Sequence, residues 1–97
     1  MITTNELLGM AGKSAVITGA GGVICSKIAE GLCSVGMNVF LLDLNEEAAK
    51  AVAGELKTKY PEQIIVGLKA NVLDKESLES VKVEILKYVA AIDYIIN

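Results

Sequence analysis

The chain has 97 residues, 53% of them hydrophobic and 22% charged; this allows one small domain with a modest core and excludes both a separate substrate domain and a disordered tail. Nine lysines, twelve acidic residues, no arginine and no histidine give a net charge of −3, which argues against nucleic acid as a partner and removes the usual general base and the usual zinc ligand. Any chemistry must then rest on carboxylates, hydroxyls, lysines, backbone groups or a cofactor.

Taken in chain order, residues 1–11 read as a loosely packed arm, with Leu7 and Leu8 touching a sheet edge or a helix. The start Met1-Ile2-Thr3-Thr4-Asn5-Glu6 carries no basic region and is not a secretory signal. Residues 14–18 form a buried strand. Residues 22–35 form a helix with Ile24, Ile28, Leu32 and Val35 on one face, stopped by Gly36. Residues 38–43 are a second, wholly apolar-centred strand. Asn45 caps a helix over 46–58, with Glu46 and Glu47 in its first turn where the helix dipole favours them. Pro61 falls in the following loop, and residues 64–69 form a third strand. Asp74 caps a third helix with Leu78, Val81, Ile85 and Val89 along its inner face, and residues 92–96 form a fourth strand. No apolar run approaches the roughly 20 residues that span a bilayer. Cys25 and Cys33 lie eight apart on one helix, about 12 Å at its rise, beyond the roughly 7 Å a disulfide tolerates. Two reduced thiols point to a cytoplasmic protein.

The alternation β-α-β-α-β-α-β, with strands apolar on both faces, predicts a parallel sheet between helix layers. Right-handed crossovers then give a doubly wound, Rossmann-type α/β/α domain over residues 1–97, its four strands in the order 3-2-1-4. The switch point between strands 1 and 4 sets the binding crevice at the carboxyl ends of the strands.

The chemistry sits at Thr18-Gly19-Ala20-Gly21-Gly22-Val23-Ile24-Cys25, between the first strand and the first helix. Glycines let the backbone turn sharply and approach a ligand, and the helix start offers free N–H groups to an anion. A pyrophosphate suits both. A plain G-x-G-x-x-G would place its third glycine at 24, where the chain has Ile; a tight turn without a ligand is the plainer alternative. Asp43 closes the second strand 24 residues after Gly19, near the spacing of about 20 at which such units hold an adenosine ribose. A carboxylate there repels a 2′-phosphate, and the chain has no arginine to receive one, so NAD(H) is expected over NADP(H). The nearest lysine in sequence is Lys50, and a lysine brought in by the fold would weaken that preference.

At these residues the chain resembles the short-chain dehydrogenase/reductase family. Residues 12–19 are similar to its entry into strand 1, and the loop stands where the family has T-G-x-x-x-G-x-G, with Val23 and Cys25 in place of two glycines. Asn71-Val72 stands where it has Asp-Val, and Asp93-Tyr94-Ile95-Ile96-Asn97 resembles the strand into its N-N-A-G segment. The loop is similar to that of a branch including D-mannonate oxidoreductase (fructuronate reductase). The resemblance implies that Gly19, Gly21, Gly22 and Ile24 border the pyrophosphate and nicotinamide ribose, and that Asp43 holds the adenosine ribose. It further implies that Asn71 and Val72 flank the adenine and that Asn97 begins the segment over the cofactor.

The family's catalytic tyrosine is followed four residues on by a lysine, which lowers its pKa for proton exchange at neutral pH. Here Tyr60 is followed at that spacing by Ile64 and Tyr88 by Ile92, and Tyr94 has no residue at that position. No catalytic residue is therefore assigned, and the chain is expected to be the truncated, cofactor-binding part of a sugar-acid oxidoreductase. The fourth strand is then an apolar edge, expected to pair with another copy or to leave the final residues disordered. A nucleotide-sensing module without catalysis, and a methyl transferase whose cofactor also carries an adenosine ribose, are the competing classes. The latter fits less well because its cofactor has no pyrophosphate.

Overall fold

The computed structural model describes residues 9–97; the expected arm contacts of Leu7 and Leu8 lie outside the described residues. The order of elements is β1 (Ser14–Thr18), α1 (Val23–Ser34), β2 (Asn38–Asp43), α2 (Glu46–Lys59), β3 (Ile65–Lys69), α3 (Lys75–Ile85) and β4 (Tyr94–Ile96). All pairings are parallel and the four strands lie in the order β3-β2-β1-β4, the doubly wound arrangement that the element pattern predicts.

Strand alternation divides the core between the two faces of the sheet. Ala15 and Ile17 of β1 and Val39 and Leu41 of β2 pack with Ala29 and Cys33 of α1 and Ala53 and Leu56 of α2. Val16, Phe40 and Leu42 point the other way, onto Val81 and Ile85 of α3. Both faces are thus covered where β1 and β2 run, which is why these strands carry no polar alternation. Phe40 is fully buried and meets the Tyr88 ring at a centroid distance of 5.9 Å and an angle of 59°. Its burial contributes about 1.5–3 kcal/mol.

The helix ends follow their capping residues. Asn45 accepts the Ala48 amide through its side chain, Glu46 and Glu47 fill the first turn of α2, and Lys57 and Lys59 fill its last. Asp74 accepts the Glu76 amide at the start of α3. Gly36 takes a φ of +91° just past α1, a conformation only glycine adopts without strain.

The buried face of α1 differs from the sequence expectation. Ile24 is 76% exposed and Ile28 lies at the surface, whereas Ala29 and Cys33 are buried and Cys25 and Leu32 pack against the same core. The helix is rotated so that small side chains meet the sheet. Two isoleucines there would hold α1 away from β1, from which only a short glycine turn separates it. On α3, Val81 and Ile85 are buried as expected. Leu78 is exposed, and the helix ends at Ile85, so Val89 reaches the same core from the chain beyond it. β4 is shorter than expected because Asp93 is used differently. Its amide donates to the Ser14 carbonyl, and its carboxylate accepts the Ser14 amide, both at 2.9 Å.

Candidate functional site

The glycine-rich turn begins where β1 ends. Gly19 takes a φ of +66°, and the Gly22 amide donates to the Gly19 carbonyl at 3.1 Å, closing the turn. The Ala20 amide donates to the Leu42 carbonyl at 3.1 Å, tying the turn to the end of β2. The Gly21 amide donates to Asp43 Oδ2 at 2.9 Å. The other carboxylate oxygen, Oδ1, accepts the Asn45 amide at 2.9 Å. A single side chain thus holds both the turn and the start of α2.

Each glycine has its own reason. Gly19 is required by its left-handed backbone. Gly21 is required by space, because a β-carbon there would stand 2.7 Å from Ala48 Cβ and 2.9 Å from Asp43 Oδ2. Gly22 is less constrained, since its nearest neighbour would be the Gly19 carbonyl at 3.4 Å. Val23 and Cys25, at the two positions where the resemblance expects glycine, lie within the regular turns of α1, and no described non-glycine residue has a positive φ. The turn closes without glycine at either place.

The start of α1 is undecorated. Gly22 caps it with no side-chain hydrogen bond, and no acidic residue lies in its first turn. The first amides of the helix therefore remain available to an anion, and the positive end of the helix dipole is uncompensated. Val23 and Ile24, in the first turn of the helix, are exposed.

Beside the turn lies a cleft of about 150 Å³ lined by Gly19, Leu42, Asp43, Leu44, Ala70 and Val72. It sits over the carboxyl ends of β1, β2 and β3, where doubly wound sheets take their ligands. Asn71 is adjacent but turned into its own loop: Oδ1 accepts the Leu73 amide, and its backbone amide donates to Ser77 Oγ, both at 3.0 Å. Val72, half exposed, also borders a larger groove of about 510 Å³ between α3 and the sheet, which Thr18, Ile95 and Asn97 line as well. There the Thr18 hydroxyl donates to Asn97 Oδ1 at 3.0 Å, joining the ends of β1 and β4.

The structure therefore gathers Gly19, Asp43 and Val72 around one cleft, with Gly21 bonded to Asp43 and Gly22 at the helix start. Ile24 is exposed in the first turn of α1 and lines neither cleft, Asn71 is bonded within its own loop, and Asn97 lines the neighbouring groove. Lys69 escaped the site reading, and Thr18, the first residue of the loop motif, was given no role of its own. Thr18 sits one position before the turn, and only the pairing of β1 with β4 shows its partner. Lys69 is in register with Asp43 on the neighbouring strand, although it stands 26 residues away in the chain. Lys50, the nearest lysine in sequence, is engaged by Glu46 at 3.7 Å. Among the described residues no helix is long and apolar enough to cross a membrane.

A parallel sheet with a glycine turn after its first strand, and an acid closing its second, defines a nucleotide-binding domain of the doubly wound α/β class. A family model described as short chain dehydrogenase matches residues 13–97, and the chain belongs to that family. It is 42% identical over 97 residues to an uncharacterized oxidoreductase, UxuB, of Bacillus subtilis (strain 168), covering 100% of this chain and 34% of that protein. Among solved structures it is similar to a putative D-mannonate oxidoreductase from Haemophilus influenza with bound NAD. That match has a TM-score of 0.80 and 38% identity, and covers 88% of this chain and 30% of the other. It is also similar to an NAD⁺-bound xylitol dehydrogenase, with a TM-score of 0.81, 26% identity and coverage of 89% and 32%. The chain spans about a third of the length of the relatives it matches.

Proposed function

We propose that this chain forms the NAD(H)-binding portion of an oxidoreductase acting on a sugar acid or a related hydroxy or keto compound, with D-mannonate and fructuronate as the first substrates to test. The observation that carries the cofactor reading is Asp43. Its carboxylate borders the cleft between the glycine turn and Val72, and it keeps lone pairs beyond the two that accept Gly21 and Asn45. An adenosine ribose needs acceptors of this kind for its two hydroxyls. The substrate class rests on the likeness to the D-mannonate oxidoreductase and on the form of the glycine loop.

NAD, when bound, supplies the hydride chemistry. The residues of this chain bind and orient. The first amides of α1 receive the pyrophosphate, Asp43 takes the ribose, Leu44 and Val72 offer apolar walls to the adenine, and Asn97, held by Thr18, marks the side toward the nicotinamide. None of the three tyrosines is followed by lysine at the fourth position, so binding without turnover is expected of these residues by themselves. β4 forms one edge of the sheet, with Ile95 exposed, and pairing of two copies along it belongs to the same proposal; a monomer in sedimentation at high concentration counts against that part. Calorimetry with NAD, NADP and AMP tests the cofactor reading. NAD and AMP binding with NADP weaker supports it, and tighter binding of NADP overturns it.

A further inference from the structure

Two consecutive glycines, Gly21 and Gly22, precede α1, and no side chain caps that helix. Glycine pairs are the most mobile backbone a chain can offer, so an ordered turn here needs an external anchor. The described residues supply two. One is the Leu42 carbonyl, which accepts the Ala20 amide. The other is Asp43, whose Oδ2 accepts the Gly21 amide while its Oδ1 accepts the Asn45 amide. Only the second reaches past Ala20 to Gly21, the residue before the helix cap.

We propose that Asp43 is a positioning residue for the phosphate-binding turn in addition to its contact with the ribose: its carboxylate latches Gly21 to the end of β2 and so keeps the first amides of α1 aimed at the pyrophosphate. This rests on the dinucleotide reading above but fails separately from it. The close fit of residue 21 belongs to the latch. A β-carbon on Gly21 would stand 2.9 Å from Asp43 Oδ2 and 2.7 Å from Ala48 Cβ, so only glycine lets the amide come within bonding distance. The chemistry also requires a carboxylate. Asp⁻ has two acceptor oxygens, whereas Asn has one oxygen and an NH₂ group that would face one of the two donors. Asp43→Asn therefore loses either the Gly21 or the Asn45 bond.

The test uses a ligand that has the diphosphate but lacks the hydroxyls that the carboxylate is expected to bind. ADP and 2′,3′-dideoxy-ADP are titrated by calorimetry into the chain and into Asp43→Ala, which removes both acceptor oxygens. A residue that acts only on the ribose leaves dideoxy-ADP binding unchanged by the substitution. The latch predicts that dideoxy-ADP binds about tenfold more weakly to the variant, the scale of one charge-assisted hydrogen bond. Equal affinities overturn it.

A second measurement needs no ligand. In ¹⁵N spectra at a single pH, hydrogen exchange of the Gly21 and Asn45 amides is expected to be faster in Asp43→Ala than in the unsubstituted chain, while that of Ala20, bonded to the Leu42 carbonyl, stays slow. A Gly21 exchange rate that is the same in both overturns the latch even where nucleotide binds. Failure of the unsubstituted chain to bind ADP overturns the dinucleotide reading instead and leaves the latch to be judged on Gly21 alone.

Discussion

The Gly21 amide lies 2.9 Å from Asp43 Oδ2, and a β-carbon on Gly21 would crowd that oxygen and Ala48 Cβ together. Ala48 cannot turn aside, because its β-carbon is fixed to the backbone of α2. Gly21→Ala is expected to lower stability by about 1–3 kcal/mol, the usual cost of overpacking, and to weaken ADP binding. Gly22→Ala meets nothing closer than 3.4 Å and should cost less. Urea unfolding of both variants checks the ranking, and equal losses would show that the close approach is not a constraint.

Gly67 and Gly54 make a second pair with opposite expectations. On β3, a β-carbon at Gly67 would lie 2.6 Å from the carbonyl carbon and oxygen of Ala49, backbone atoms of α2 that cannot yield without lifting the helix. Gly67→Ala is expected to cost about 3 kcal/mol. Gly54, exposed within α2, has no neighbour within 4 Å. Gly54→Ala there should stabilise by about 0.5–1 kcal/mol, through helix propensity and a less mobile unfolded chain. Thermal unfolding of the two variants should shift in opposite directions.

The register of Asp43 with Lys69 bears on cofactor choice. Adjacent parallel strands are about 4.8 Å apart, and paired residues project to the same face. Removing the carboxylate by Asp43→Ser leaves a lysine in register on the neighbouring strand, a cation that a 2′-phosphate can recruit. The variant is expected to raise NADP affinity relative to NAD by about tenfold or more, and Lys69→Glu added to it should cancel the gain. Calorimetry with both dinucleotides measures the ratio. An unchanged ratio in Asp43→Ser would remove Asp43 as the discriminating residue.

The sheet order and the capping residues were legible in the sequence because they depend on local signals. The apolar runs around Val16, Phe40 and Leu41 report burial on both faces, and Asn45 and Asp74 announce helix starts through their own side chains. The inner face of α1 was legible at Leu32 and Val35, which pack as expected, but not at its start. A pattern of hydrophobic spacing favours Ile24 and Ile28, whereas close approach to β1 favours Ala29 and Cys33, and size complementarity appears only when two elements are set together. For the same reason the sequence points to Asp43 as a ribose acceptor but not to its bond with Gly21, which exists only once β2 and the turn lie side by side. Lys69 is the plainest case. Its nearness to Asp43 comes from strand pairing across an intervening helix, and spacing along the chain points to Lys50 instead.

Cys33 gives a prediction in pH. It is 1% exposed, and burial, with the Glu30 carboxylate adding to it, pushes its thiol from 9.0 up to about 11. The unfolded chain releases this proton at lower pH than the folded one, so the unfolded state gains from ionisation first. The stability contributed by keeping the thiol neutral is fully present below about pH 9 and is lost as pH rises through about 11. The loss has a slope of at most about 1.4 kcal/mol per pH unit. Lysines and tyrosines also titrate in that window, so the measurement is a difference against Cys33→Ala. That variant should be less stable near neutral pH by about 1 kcal/mol, for the cavity it leaves. Its deficit should shrink as pH is raised from about 8 toward 11, because it has no thiol to ionise. Urea unfolding at several pH values follows the two curves, and curves that stay parallel across the window would show that Cys33 ionises no less readily when folded. Thiol labelling at neutral pH should reach the partly exposed Cys25 well before the buried Cys33.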